Sequence, residues 1–189
     1  MPPALRKARD LALLDAIDAF KRETFAGAVW RVTREGRDPL LGARSRSRWC
    51  NDSFDVLYTS TERDGALAEI HALLSSQPVF PSRLRARVHR IAVRASKLLR
   101  IDSLAILAEL GVDTSRYRER RYERTQEIAD AAYFLGFGGL IAPSARWKCA
   151  SLVLFTDRIP PADLRLEASE RKPIDWQAWK RAQAGAGEG

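Results

Sequence analysis

Residues 54–70 read FDVLYTSTERDGALAEI, and the chain changes character in the middle of them. Phe54 to Tyr58 alternates apolar with polar, the mark of a strand with one buried face. From Glu62 to Ser75 the residues Ala66, Leu67, Ile70, Leu73 and Leu74 recur at helical spacing, and Thr61 with Asp64 three residues later has the form of a capping box. A strand that runs straight into an amphipathic helix leaves Tyr58 at the strand end and Glu69 in the second or third turn of the helix. On a helical wheel Glu69 falls beside Ala66 and Leu73, at the margin of the apolar stripe. A carboxylate there is partly buried and needs a partner, either an arginine in a plain ion pair or a ligand.

The rest of the chain is organised around that unit. Residues 4–24 carry Leu11, Leu14, Ile17 and Phe20 at intervals of three, which predicts a first helix. Ala28 to Thr33 reads as a strand, and EGRDPLLGARSRSRW (35–49) as a loop rich in Gly, Pro, Ser and Arg. After the central helix, Leu84–Arg94 alternates through Val88, Ile91 and Val93 as a third strand, and Lys97–Ile101 makes a fourth. Asp102 or Ser103 caps a short helix that stops at Gly111. The run RYRERRYER (116–124) reads as a solvated loop or helix start. From Thr125, the spacing of Ile128, Ala131, Ala132 and Leu135 gives another helix closed by Gly136.

Gly138–Ala142 and Leu152–Phe155 are two more strands flanking Pro143 and Ser144. Beyond Arg158 the chain turns Pro-rich and charged and ends in AQAGAGEG, where Trp176 and Trp179 dock a tail whose last residues are mobile. The expected organisation is a helical extension over 1–26, one domain over 27–158 and a C-terminal tail over 159–189. Strands and helices do not alternate regularly, and no G-x-G-x-x-G or Walker A loop is present, so a doubly wound sheet is not expected. The fold class is α+β: a split mixed β-sheet with peripheral helices.

Composition narrows the function classes. The 189 residues are 46% hydrophobic and 30% charged, as in an ordinary single globular domain. The formal net charge of +8 and a pI near 10.0 favour an anionic ligand. Arginine supplies most of that charge and binds phosphate bidentately, although a solvated basic surface is the plain alternative. Cys50 and Cys149 are the only cysteines, and with His71 and His89 equally isolated neither a disulfide framework nor a zinc site is expected. No apolar run reaches the length of a membrane span, and Asp10, Asp15 and Asp18 interrupt what a signal peptide would keep apolar. The expected location is the cytoplasm, with free thiols.

Four places combine reactive chemistry with an ordered setting. Arg31 is a charge inside an apolar strand and needs a partner, which a structural ion pair would also supply. The loop Arg44–Trp49 alternates arginine with serine beside a tryptophan, fit to cradle phosphate or simply to be mobile. Tyr58 and Glu69 are the third, and Ser144, after the strand end in GFGGLIAPSARW (136–147), is the fourth.

Read together, WRVT (30–33), RW (48–49), VLYTST (56–61), ALAEI (66–70), GFGGLIAPSAR (136–146) and LVLF (152–155) resemble the RES-domain family in order and spacing. That family is named for an Arg, a Glu and a Ser, matched by Arg31, Glu69 and Ser144; its second arginine falls on Arg48 and its strand-end aromatic on Tyr58. Two departures stand out. The family loop reads Gly-Gly-Arg-Trp-Asn, whereas this chain has Arg46-Ser47-Arg48-Trp49-Cys50-Asn51, and Ser151 replaces an Asn before LVLF. The resemblance implies an ADP-ribosyltransferase-like fold around an NAD cleft, and a toxin that degrades NAD by cleaving the nicotinamide–ribose bond as a glycohydrolase or phosphorylase. Glu69, Arg31 and Ser144 would be catalytic, and Arg31, Arg48, Tyr58 and Ser144 would bind NAD, a substrate needing no metal. A helix-turn-helix antitoxin is the implied partner, with nucleic acid met only through it and no membrane. Transfer of ADP-ribose to a protein or nucleic acid, and a non-catalytic basic module binding nucleic acid, are the alternatives.

Overall fold

The structure, a computed structural model, describes residues 8–186. Its elements run α1 (Leu11–Asp18), β1 (Arg22–Arg34), β2 (Arg46–Ser47), β3 (Cys50–Asn51), β4 (Val56–Ser60), α2 (Arg63–Ser75), β5 (Ala86–Arg100), α3 (Leu104–Glu109), α4 (Glu123–Phe134), β6 (Gly139–Pro143), β7 (Ala150–Phe155), β8 (Leu164–Ser169) and α5 (Trp176–Ala186). This is the α+β class with a mixed sheet read from the sequence.

The sheet closes on itself. β1 and β5 pair antiparallel along almost their whole lengths, from Arg22↔Leu99 to Arg34↔Ala86. β1 also meets β4 at Trp30↔Ser60, β4 pairs with β7, and β7 with β6, all antiparallel. β6 returns to β5 in parallel at Leu98–Arg100, and the crossover through α3 and α4 supplies the long connection that a parallel pair requires. β5 is therefore shared: its first half carries β8 on the edge where its second half carries β6.

Alternation along the strands sorts three apolar clusters. Val29, Leu57, Ile91, Val93, Leu98, Ile141, Leu152 and Leu154 fill the inside of the closed sheet. On its outer face β1 turns Trp30 and Val32 toward Ala66, Leu67 and Leu74 of α2, with Trp176 of α5 in the same cluster. α1 and α4 pack over β6 and β7 through Leu13, Ile17, Ile128, Ala132, Leu140 and Phe155.

Several elements differ from the sequence reading for identifiable reasons. The helix expected over 4–24 is only eight residues long; from Arg22 the chain is strand, because β5 offers partners as far as Leu99. The first residues of that helix lie outside those described. The two strands expected over 84–101 are one, with Lys97 adopting a left-handed φ of 56° that shifts the alternation without ending the ladder. The capping box at Thr61 does not form: Glu62 is the N-cap without a side-chain bond, and the Thr61 hydroxyl donates to the Ala150 carbonyl at 3.1 Å. Ser103, one of the two expected caps, accepts from the Ile106 amide. The tail contributes β8 and α5; Trp176 is buried, as its docking required, and the last residues expected to be mobile lie outside those described.

Gly139 is where the sheet is most tightly drawn. A Cβ there would collide with the Val153 carbonyl oxygen and sit 3.1 Å from the Leu154 Cα, both backbone atoms of β7. Gly139→Ala should cost about 3 kcal/mol and lower Tm by roughly 6–12 °C, since β7 cannot retreat without opening the ring. A thermal melt unchanged within a degree or two would show that the ring yields more easily.

Candidate active site

One edge of the closed sheet gathers the chemistry. β4 and β6 end there and β7 begins, since Ser60 pairs with Ser151 and Pro143 with Ala150. α2 leaves β4 at this edge and stays close to it. A Cβ on Gly65 would lie 2.5 Å from the Cys149 Sγ, and Ser60 Oγ and Cys149 Sγ are 3.2 Å apart. That close approach swings Glu69, half-buried on α2, over the turn that follows β6.

Ser144 is the first residue of that turn, and its hydroxyl is fully oriented. Its oxygen accepts the backbone N–H groups of Arg146 at 3.1 Å and Trp147 at 3.2 Å, which leaves its proton to Glu69 Oε1 at 2.7 Å. Glu69 Oε2 makes no hydrogen bond among the described residues. A carboxylate steered from one oxygen and open at the other suits recognition of hydroxyl groups or of a developing positive charge.

The Arg48 loop reaches the same edge as the tip of the small hairpin formed by β2 and β3. Lacking the glycines of the related pattern, it is held by side chains instead. Trp49 is 2% exposed among the apolar residues under α4. Tyr58 accepts the Trp49 N–H at 2.9 Å and shares a 2.7 Å hydrogen bond with the Ser47 hydroxyl. Gln126 of α4 donates to the Ser47 and Cys50 carbonyls at 2.8 and 3.1 Å. The Arg48 guanidinium lies 4.4 Å from the Tyr117 ring centroid and 5.0 Å from that of Tyr122.

Tyr117 ties these parts together. It is 5% exposed, and its hydroxyl donates to the Pro143 carbonyl, one residue before Ser144. Burial pushes its phenol well above the usual range; the Arg48 charge acts the other way and the Glu69 charge acts with it, so both lie within electrostatic reach of one ring. Tyr58 is likewise raised by burial, with the Ser47 bond opposing. Its hydroxyl serves the loop.

The structure thus brings Glu69 and Ser144 into contact, with Arg48 linked to them through Tyr117 and Tyr58 hydrogen-bonded to the loop that carries Arg48. Arg31 is held by other partners. It alternates with Trp30 and Val32, which face α2, and its Nη1 donates to the Pro39 and Leu41 carbonyls at 2.9 and 3.0 Å. Burial holds its guanidinium down at about 10, with Arg37 adding to the effect and Asp38 opposing it. The ion pair considered for it in the sequence is a bracket on loop carbonyls.

Tyr117, Tyr122 and Gln126 were not found in the sequence. The two tyrosines sit in the run RYRERRYER, and the only signal was an aromatic recurring within a block of charge. Among the described residues no cluster of three or more His, Cys, Asp or Glu side chains could hold a metal, and no helix is long and apolar enough to cross a membrane.

Comparison with known proteins gives three findings. The model of the RES domain family matches residues 28–177. A Mycobacterium tuberculosis protein named Probable NAD(+) phosphorylase Rv3189 is 32% identical over 171 residues, 86% of this chain and 80% of the relative. A chain of the crystal structure of the M. tuberculosis MbcT–MbcA toxin–antitoxin complex superposes with a TM-score of 0.80 at 21% identity, covering 94% of this chain and all of that one.

Proposed function

The chain belongs to the RES domain family, and from that premise we propose that it is an NAD-degrading enzyme of the toxin kind, cleaving the nicotinamide–ribose bond. The observation that carries this reading is the Glu69 carboxylate steered by the Ser144 hydroxyl, with a cation, Arg48, held on two aromatic rings, one of which is tied to the Pro143 carbonyl next to Ser144. The relative's name as a phosphorylase supports phosphate as the acceptor.

The chemistry suits these groups. Nicotinamide leaves from a cationic pyridinium and becomes neutral as the bond breaks, so no general acid is needed, unlike the paired carboxylates of ordinary glycosidases. What remains is to stabilise a ribose with oxocarbenium character. Glu69 opposes that charge and binds ribose hydroxyls through Oε2; Ser144 fixes the carboxylate; Arg48 grips the pyrophosphate bidentately. Tyr58 acts on the Arg48 loop, and Arg31 acts by holding residues 39–41. This economy of groups fits the ADP-ribosyltransferase-like reading of the site.

The fold match to a chain of a toxin–antitoxin complex supports a protein partner, and a helix-turn-helix antitoxin fits the proposal, with nucleic acid approached only through it. The cytoplasm, where NAD is found, is the matching compartment. The test is NAD loss and nicotinamide release by purified protein, with and without phosphate. Phosphate-dependent turnover is the expected result; a folded protein that consumes no NAD with phosphate, water or a cell extract as acceptor would overturn the reading.

A further inference from the structure

A recess of about 830 Å³ is lined by Tyr117, Ser144 and the turn that follows it, with no residue of α2 in its wall. Glu69 and Arg48 do not line it. Its wall carries four cations, Arg100, Arg118, Arg146 and Lys148, against one carboxylate, Asp102. Arg100 pairs with Asp102 at 3.3 Å, whereas Arg118, Arg146 and Lys148 form no ion pair among the described residues. Elsewhere Arg9, Arg22, Arg63, Arg85, Arg87 and Arg124 each hold a carboxylate. Unpaired cations concentrated in a concavity focus a positive potential into it.

We propose that this recess is a second anion subsite, which takes the phosphate acceptor and so decides between phosphorolysis and hydrolysis. The inference rests on the NAD-cleaving reading above. Phosphorolysis brings two separate anions to one carbon, the pyrophosphate of NAD and the acceptor. They cannot share the same cations. Arg48, clamped by Tyr117 and Tyr122, does not line the recess, whereas Ser144, the partner of Glu69, does, so the recess cations are a group separate from Arg48 that reaches the Glu69–Ser144 pair. Water as acceptor needs no cations; a phosphate dianion needs its charge matched where solvent is excluded.

In the step, a phosphate oxygen forms a bond to the ribose C1 as the bond from C1 to the pyridinium nitrogen breaks. The bonding pair returns to the ring, nicotinamide leaves neutral, and the product is ADP-ribose 1-phosphate, whose remaining proton exchanges with solvent. The recess is larger than orthophosphate requires, so a phosphate monoester presents the same oxyanion. Parallel assays with orthophosphate and glycerol phosphate separate the two sources by product.

The test is the double variant Arg118→Gln with Arg146→Gln, set against Arg94→Gln with Arg171→Gln, which removes the same charge from exposed positions outside the recess. At constant ionic strength, the recess variant should need at least about tenfold more phosphate for half-maximal turnover, with the NAD KM within about twofold. Its product should shift toward free ADP-ribose, and the control should match wild type. A raised NAD KM with an unchanged phosphate requirement would make the recess a dinucleotide site and overturn the proposal. NAD loss by wild type without phosphate dependence would also overturn it while leaving NAD cleavage standing. If no NAD is consumed at all, the proposed function fails first. Phosphate-induced thermal stabilisation of wild type, absent in the recess variant, then still decides the subsite, and equal stabilisation of both proteins would reject it.

Discussion

Glu69→Gln is expected to leave the fold intact and to lower NAD turnover by at least about a thousandfold, equivalent to about 4 kcal/mol of transition-state stabilisation. The substitution keeps almost everything about the side chain except its charge. The glutamine carbonyl oxygen can still accept the Ser144 proton at the position of Oε1, and the stem remains beside Ala66 on the margin of α2. What disappears is the negative charge facing the ribose as C1 loses its bond to a pyridinium. Glu62, the other carboxylate that acts on Cys149 alongside Glu69, is already engaged by the Trp147 indole N–H at 3.2 Å and does not take the Ser144 proton. The same variant should melt within about 2 °C of wild type, because a half-exposed carboxylate-to-amide change falls among the small surface effects. Ser144→Ala should be milder and of a different kind. It frees the carboxylate to rotate and leaves the Arg146 and Trp147 amides without their shared acceptor, but the charge stays. Turnover by Glu69→Gln close to wild type would remove Glu69 from the chemistry.

The parts of this fold that could be read from sequence are those in which local pattern and tertiary need agree. β4 and α2 were legible because alternation and helical spacing follow each other without a gap, and the close approach at Gly65 turns that adjacency into a site. α4 and its closing Gly136, which has a φ of 85°, were legible for the same reason. β8 was not read: LRLEAS alternates apolar with polar, but the segment is short, lies in a Pro-rich charged stretch with five of its six residues exposed, and is held as a strand because β5 offers an edge between His89 and Val93. The start of β1 was hidden for a related reason, since distant partners, Leu99 for Arg22 and Leu98 for Glu23, decide whether Arg22–Thr24 prolongs a helix or begins a strand.

The site divides along the same line. Glu69 and Ser144 could be named in advance, because each sits at the end of a pattern, and the contact between them follows once both elements are placed on one sheet edge. Tyr117 and Tyr122 could not. Their run is dense in Arg and Glu and reads as solvated, yet Tyr117 is buried because the Pro143 carbonyl needs a donor and Arg48 needs a flat surface. Arg31 shows the converse. A charge inside an apolar strand was correctly read as needing a partner, but sequence could not say that the partner is a pair of loop carbonyls.

Arg48 carries the second large effect. Arg48→Lys preserves the charge, and on electrostatic grounds alone it would be nearly silent. The geometry predicts otherwise: kcat/KM for NAD should fall about a hundredfold, mostly through KM. The guanidinium is planar and rests against the rings of Tyr117 and Tyr122, which fixes its orientation and leaves its edge N–H groups to meet a pyrophosphate two at a time. An ammonium neither stacks nor forks, and its flexible, shorter stem is no help on a loop already fixed by Tyr58, Gln126 and Trp49. Because pyrophosphate is gripped alike in ground and transition states, the loss should appear as weaker binding with kcat changed only a few-fold, and inhibition by ADP-ribose should weaken in parallel. Arg44→Lys, on the same loop but exposed and paired only with Asp55 at 3.5 Å, should change neither constant. If Arg48→Lys left the NAD KM where it was, the tyrosine clamp would be holding the loop rather than presenting a ligand, and the pyrophosphate would have to be sought among the cations of the recess beyond Ser144.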